Sequence, residues 1–261
     1  MTALPQRLLG HSGIYTSAIG LGTVKFGRNL GVKYPRPFDL PGDAQILDLL
    51  ALARDMGINT LDTAPAYGLS EARLGQLLTN RQDWIIVNKA GEQFINGHSA
   101  FDFSAAALRR SLEQSLSTLK TDYLDVFLLH SDGRDLEIIN EGGLDTLQRF
   151  KDEGKIRSFG MSTKTTEGAI ACLEQADTVM LSFHPEHTEE RPALDFAIQQ
   201  KKGCFIKKVL DSGHIKSPEA QAAHIRYAYA HPAACSLIIG TLNPEHLRQN
   251  VQVLMNQPAK E

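Results

Sequence analysis

Ile156-Arg157-Ser158-Phe159-Gly160-Met161-Ser162 is followed by a helix-length segment, Thr166–Gln175, then by Thr178–Phe183 and a second helix-length segment, Pro192–Lys201. Two short, mostly apolar runs are each trailed by a longer amphipathic one. Short apolar runs without alternation suit strands buried on both faces, and such strands are parallel strands joined by helical crossovers. The pattern extends in both directions. Upstream, Ser17–Gly22 precedes Asp43–Met56, where Ile46, Leu49, Leu50 and Ala53 share a face. Thr60–Ala64 precedes Ser70–Leu78, and Trp84–Ala90 precedes a helix with Leu108, Leu112, Leu116 and Leu119 in register. Tyr123–His130 precedes Leu144–Asp152. Downstream, Cys204–Lys208 precedes Pro218–Ala230, and Ser236–Gly240 precedes a helix capped by Asn243 and opened by Pro244.

Eight β-then-α units predict an α/β protein, a closed (β/α)8 TIM barrel formed by residues 1–261 as one domain. An open dinucleotide-binding sheet is the rival. Its phosphate signature needs a third glycine after Gly20-Leu21-Gly22, and that position holds Lys25. The stretch from Leu4 to Ser17, ahead of the first strand, has room for an N-terminal β-hairpin closing the barrel floor.

The 261 residues carry 27 basic and 30 acidic side chains, a formal charge of −3, with no block of like charge. Nucleic acid and acidic membrane surfaces are therefore not expected partners. No run reaches the ~18 apolar residues of a membrane span, and Met1–Gly22 has no signal-peptide core, so a soluble, cytoplasmic protein is expected. Cys172, Cys204 and Cys235 lack metal spacing and read as reduced, buried thiols. No motif sets an oligomeric state.

Barrel enzymes place their chemistry at the C-terminal strand ends. Asp62 ends the second strand and Lys89 the third, on the side of Ile85 and Val87. His130 ends the fourth, on the side of Leu124, Val126 and Leu128. Tyr67 follows Asp62 in the turn Pro65-Ala66-Tyr67-Gly68. Each has a bland reading: a turn-capping Asp, a solvated Lys, a structural His, a packing Tyr. Together on consecutive strands they are not a cheap way to fill space. Reducing a carbonyl needs hydride on carbon and a proton on oxygen. A phenol, with an unperturbed pKa of ~10, is a better acid beside an ammonium, which Asp62 would hold in place, while His130 orients the substrate oxygen.

The stretches Asn59–Gly68, Val87-Asn88-Lys89 and Leu128-Leu129-His130 carry Asp62, Tyr67, Lys89 and His130 in the order of the aldo-keto reductase tetrad, and the sequence resembles that family. The likeness continues through Gly154–Arg157, Gly160–Ser162, Ile239–Thr241 and Gln249-Asn250. It implies an NAD(P)(H)-dependent oxidoreductase acting on a small carbonyl or alcohol, with Tyr67 as general acid/base. It also implies that Gly22, Thr23, Lys25, Asp62, Ser162 and Thr163 surround the nicotinamide end. Lys208, Leu210 and Ser212 would approach the pyrophosphate. Gly240, Thr241, His246, Gln249 and Asn250 would surround the adenosine. Met180, Lys207 and His246 depart from the common Gln, aromatic and Arg of the family. His246 and Thr241 keep hydrogen-bonding capacity for a 2′-phosphate, so NADP(H) is expected ahead of NAD(H).

Two other classes remain in view. A Schiff-base lyase would use a strand-end amine from Lys89, Lys207 or Lys208, although Asp62 would keep Lys89 charged. A cofactor-sensing subunit would share the scaffold without turnover. His184-Pro185-Glu186-His187 is a weak metal signal in a loop, and no metal is assigned. The long segment Phe26–Gly42 carries Phe26, Tyr34 and Phe38 among three prolines and is expected to be a lid lining the substrate pocket beside Tyr67 and His130.

Overall fold

The structure is a computed structural model describing residues 3–215 and 217–256. Its strands are β1 (Gln6–Leu8), β2 (Tyr15–Ser17), β3 (Ile19–Gly22), β4 (Thr60–Asp62), β5 (Ile85–Ala90), β6 (Glu92–Ile95) and β7 (His98–Phe101). Then come β8 (Leu124–His130), β9 (Ile156–Ser162), β10 (Thr178–Ser182), β11 (Gly203–Lys207) and β12 (Ala234–Ile239). The helices are α1 (Val24–Gly27), α2 (Asp43–Asp55), α3 (Ser70–Leu77), α4 (Ala105–Leu119) and α5 (Asp135–Asn140). They continue with α6 (Gly143–Asp152), α7 (Thr166–Gln175), α8 (Arg191–Gln199), α9 (Pro218–Ala230) and α10 (Pro244–Met255).

Eight parallel strands close in the order β3-β4-β5-β8-β9-β10-β11-β12, as the alternation predicts. Closure leaves no edge strand, and it separates two cores. Val87, Val126, Leu128, Met180 and Phe205 fill the interior, and Leu9 and Ile14, from the β1–β2 hairpin, join them. The expected N-terminal hairpin therefore lies over the barrel floor. A larger cluster packs the outer strand faces against the helices, with Phe127, Leu129 and Met161 opposite Leu112, Leu147 and Leu173. Period-two alternation accounts for this split. Val126 and Leu128 face inward, so His130 continues toward the mouth. Leu124, at the strand entrance, instead joins the outer cluster.

The strand-and-helix reading matches to within a few residues at each boundary. The short helices α1 and α5 and one β insertion are additions to it: β6 and β7 form an antiparallel hairpin immediately after β5. Its turn, Asn96-Gly97, has φ of 50° and 86°. Asn-Gly accepts two positive φ values, which a tight hairpin turn requires, so this dipeptide was the available signal. The three cysteines are buried and free, and burial pushes the Cys172 thiol up to about 12.

The turn that carries Tyr67 is set by contact between two glycines. A Cβ on Gly68, where φ is 62°, would lie 2.2 Å from Gly27 O. Gly27 O accepts from Leu69 N at 3.3 Å, joining the end of α1 to the tyrosine turn. Gly68→Ala adds left-handed strain to a backbone clash. We expect it to destabilise the fold by about 1–3 kcal/mol and to lower activity, as measured by urea unfolding and by turnover of the folded fraction.

Candidate active site

Strand register brings the polar strand ends into one ring. Gly22 pairs with Asp62, and His130 pairs with Ser162. Ser162 pairs in turn with Met180, and Ser182 with Lys207. Above them opens a cavity of about 1000 Å³ lined by Asp62, Tyr67, Lys89 and His130 at its base.

Lys89 is 1% exposed, and its Nζ donates to Asp62 Oδ1 at 2.5 Å and to Thr63 O at 2.9 Å. The ammonium lies 4.8 Å from the centre of the Tyr67 ring. Tyr67 O–H donates to Asp62 Oδ2 at 3.5 Å, the long limit for such a bond. The sequence reading expects Lys89 to make the phenol more acidic. The structure gives the opposite direction: burial, then the charge of Asp62, hold the Tyr67 pKa well above that of free tyrosine. Asp62 neutralises Lys89 first, leaving little positive field for the phenol.

His130 sits edge-on to Tyr67, with ring centroids 6.2 Å apart. Its Nδ1 lies 2.8 Å from Glu92 Oε2. The alignment falls short of a regular hydrogen bond. Burial lowers the His130 pKa, outweighing the pull of Glu92, and the imidazole is neutral at neutral pH. Burial raises the Glu92 carboxyl, but His130, Ser99 and Arg28 outweigh it and bring it down to about 2. Glu92 lies on the unforeseen β6–β7 hairpin, so the sequence reading missed it. Arg28 lies 3.9 Å from Glu92 and donates to Ala66 O at 3.0 Å, beside Tyr67.

Of the residues implied for a cofactor, Gly22, Lys25, Asp62, Ser162, Lys208, Leu210, Ser212, Gly240, Thr241, His246 and Asn250 line the same cavity. Thr23, Thr163 and Gln249 do not. Thr23 follows Gly22 on the outward face, and its hydroxyl donates to Asp62 O at 2.9 Å, holding β3 to β4. Thr163 likewise follows inward-facing Ser162 and is fully buried. Gln249 donates to Glu245 at the helix surface. Lys207 completes the ring: its Nζ donates to Ser162 Oγ at 2.9 Å and to Thr163 O at 2.6 Å. Burial, reinforced by Lys208, lowers its pKa to about 7.

The cavity lining includes seven cationic residues, Lys25, Lys33, Arg36, Lys89, Lys164, Lys207 and Lys208, against one carboxylate, Asp62. In a chain of formal charge −3 this is a concentrated basic field. It fits a polyanionic ligand long enough to run from Gly240 to Tyr67, and a dinucleotide meets that description.

A family model described as the Aldo/keto reductase family matches residues 18–197. A solved Pseudomonas aeruginosa protein, provisionally described as an aldo-keto reductase, is 43% identical, with 97% of each chain covered and a TM-score of 0.89. An oxidoreductase of Bacillus subtilis is 27% identical over 290 residues, covering 95% of this chain and 90% of that one. D-arabinose 1-dehydrogenase of Saccharomyces cerevisiae is 33% identical over 214 residues, covering 71% of this chain and 61% of that protein.

The segment between α1 and α2 also reaches the cavity. Tyr34 and Phe38 meet edge-to-face at 5.6 Å, with Lys25 Nζ 4.0 Å from the centre of the Tyr34 ring. A Cβ on Gly240 would lie 3.2 Å from the Tyr34 hydroxyl, and one on Gly213 would lie 3.6 Å from Pro35. The segment therefore spans toward the strand ends implied for a cofactor as well as toward Tyr67. Tyr34→Ala with Phe38→Ala is expected to weaken nicotinamide-cofactor binding roughly tenfold and to raise substrate KM, the loss of buried aromatic contact being worth at least ~1.4 kcal/mol. Fluorescence titration and steady-state kinetics measure the two effects.

Proposed function

Because the chain belongs to the aldo/keto reductase family, we propose that it transfers hydride between NADP(H), in preference to NAD(H), and a small carbonyl or alcohol. Membership of this family and likeness to oxidoreductases make the chain an oxidoreductase; the proton chemistry, cofactor preference and substrate are our reading. The observation that carries it is the convergence of Tyr67, Lys89, Asp62 and His130 at the base of one basic cavity.

A bound nicotinamide cofactor would supply or accept the hydride at carbon. The chain's own residues then manage the proton at oxygen. Tyr67, with its raised pKa, is a neutral donor at neutral pH and suits protonation of a developing alkoxide. Neutral His130 orients the substrate oxygen without adding a second cation beside Lys89. Lys89, 4.8 Å from the centre of the phenol ring, is held by Asp62 and Thr63 O and in turn fixes Asp62 beside the phenol. Likeness to a D-arabinose 1-dehydrogenase places sugars beside aldehydes and ketones in the substrate panel.

Tyr67→Phe is expected to lower turnover by at least ~10²-fold while leaving cofactor affinity within a few-fold. Near-normal turnover of the folded variant would remove Tyr67 from the reaction. The raised phenol pKa also fixes a pH sign. Tyr67 stays protonated through neutral pH, so carbonyl reduction should be insensitive to this group near pH 7. Alcohol oxidation, which needs the phenol to release its proton, should gain rate as pH rises into the alkaline range. Initial rates in both directions between pH 6 and pH 10 test this.

His246 and Thr241 line the same cavity as Tyr67. His246→Ala is expected to narrow the gap between NADPH and NADH affinity, measured between pH 6 and pH 8. Equal affinities throughout that range would contradict the NADP(H) preference.

A second reading rests on Lys207. An amine with a pKa of about 7 in the same cavity is partly unprotonated at neutral pH and suited to Schiff-base formation. Borohydride reduction with a carbonyl substrate, followed by intact mass, separates the readings: a covalent adduct at Lys207 favours the lyase.

A further inference from the structure

Away from the cavity base, three side chains from two distant segments converge. His184 and Glu186 lie in the turn after β10, and His224 lies on α9. One ligand atom from each falls within 4.8 Å of the others. Glu186 Oε2 is 3.3 Å from His184 Nδ1 and 2.8 Å from His224 Nε2. A tetrahedral zinc ion with bonds of ~2.0–2.2 Å separates neighbouring ligands by about 3.3 Å, which the His184–Glu186 spacing matches and from which the 2.8 Å Glu186–His224 spacing departs by about half an ångström.

Two features prepare the group. The turn is tight: His184 N donates to His187 O at 3.1 Å, and His187 N to His184 O at 2.8 Å. Pro185 stiffens it further, so His184 and Glu186 hold their relative positions. His224 is 3% exposed, and its Nδ1 lies 3.0 Å from Val209 O. A carbonyl oxygen only accepts, so the proton of that contact belongs to Nδ1. Neutral His224 then presents the lone pair of Nε2 to a carboxylate oxygen, an acceptor facing an acceptor at 2.8 Å. A cation shared between the two removes the conflict. The Nδ1–H···O=C contact is also the support that metal-binding histidines commonly have. The His184 ring stacks on His224 with centroids 5.3 Å apart, which holds the two imidazoles side by side.

We propose that His184 Nδ1, Glu186 Oε2 and His224 Nε2 bind a zinc-class divalent ion, with water as the fourth ligand. Two imidazoles and one carboxylate suit Zn²⁺ among the available divalent ions. The ion ties α9 to the β10 turn beside Val209, whose neighbours Lys208 and Leu210 line the cavity. Its role is structural, and the proposal does not depend on the hydride-transfer reading.

Untagged protein, stripped with a chelator and dialysed, is titrated with Zn²⁺ by calorimetry and with Co²⁺ by visible absorption. The expected result is one ion per chain, the intense visible bands of four-coordinate Co²⁺, and a rise in Tm of roughly 5 °C at hundredfold excess over Kd. Glu186 is largely exposed, so Glu186→Gln is compatible with folding. It should weaken binding roughly tenfold or more without changing the Tm of the metal-free protein. His224→Ala should abolish stoichiometric binding. Failure of wild-type protein to take up either ion stoichiometrically would overturn the proposal. Binding unchanged in both variants would place the ion elsewhere and overturn it equally.

Discussion

Lys89 brings an ammonium into a place where 1% of its surface meets solvent, and Asp62 and the carbonyl of Thr63 are what make that tolerable. Removing two ions from water costs several kcal/mol each, and the attraction between them offsets this only when the geometry is close and remaining hydrogen bonds are filled. The closed barrel provides that geometry. Asp62 and Lys89 sit on adjacent strands: Asp62 pairs with Val87, and Lys89 lies two residues further on, on the same inward side of β5. Around the pair, Thr23 ties β3 to the backbone of Asp62, so a residue that does not face the cavity still holds one that does. The contact between Gly27 and Gly68 brings Tyr67 to the same point.

That arrangement also sets the acidity of the phenol. An ammonium near a tyrosine lowers its pKa only insofar as the ammonium is unneutralised. Asp62 is closer to Lys89 than the phenol is, and burial adds to the same side of the balance. Tyr67 is therefore a weak acid in a dry place, which suits delivery of a proton more than its removal at neutral pH. Glu92 has the complementary relation to His130: it pulls toward protonation, and burial together with Lys89 and Lys207 outweighs it. The base of the cavity thus holds one balanced ion pair and two neutral groups, beneath a rim rich in Lys and Arg.

The eight strands were readable because each is buried on both faces and separated from the next by an amphipathic helix. Burial on two faces writes a continuous apolar run, and the helix writes its own period. Asp62, Lys89 and His130 stood out because they end strands, where period two states which side a residue faces, and Tyr67 because its turn follows Asp62. Glu92 did not, because it reaches the site from a hairpin whose course depends on what it packs against. Asn96-Gly97 marked the hairpin's turn, yet nothing local said that its first strand would bring a carboxylate to His130. The same holds for His224, which meets His184 and Glu186 only through the packing of α9 beside the β10 turn.

The alternation of strands and helices, and the inward side of Lys89 and His130 at their strand ends, were determined by the sequence alone, since they follow from local periodicity and burial. Which neighbours neutralise those groups, and hence the direction in which each pKa moves, was decided only by the tertiary structure. Coulombic and desolvation effects depend on distance and on exclusion of water, and both arise from segments far apart in the chain closing over one another.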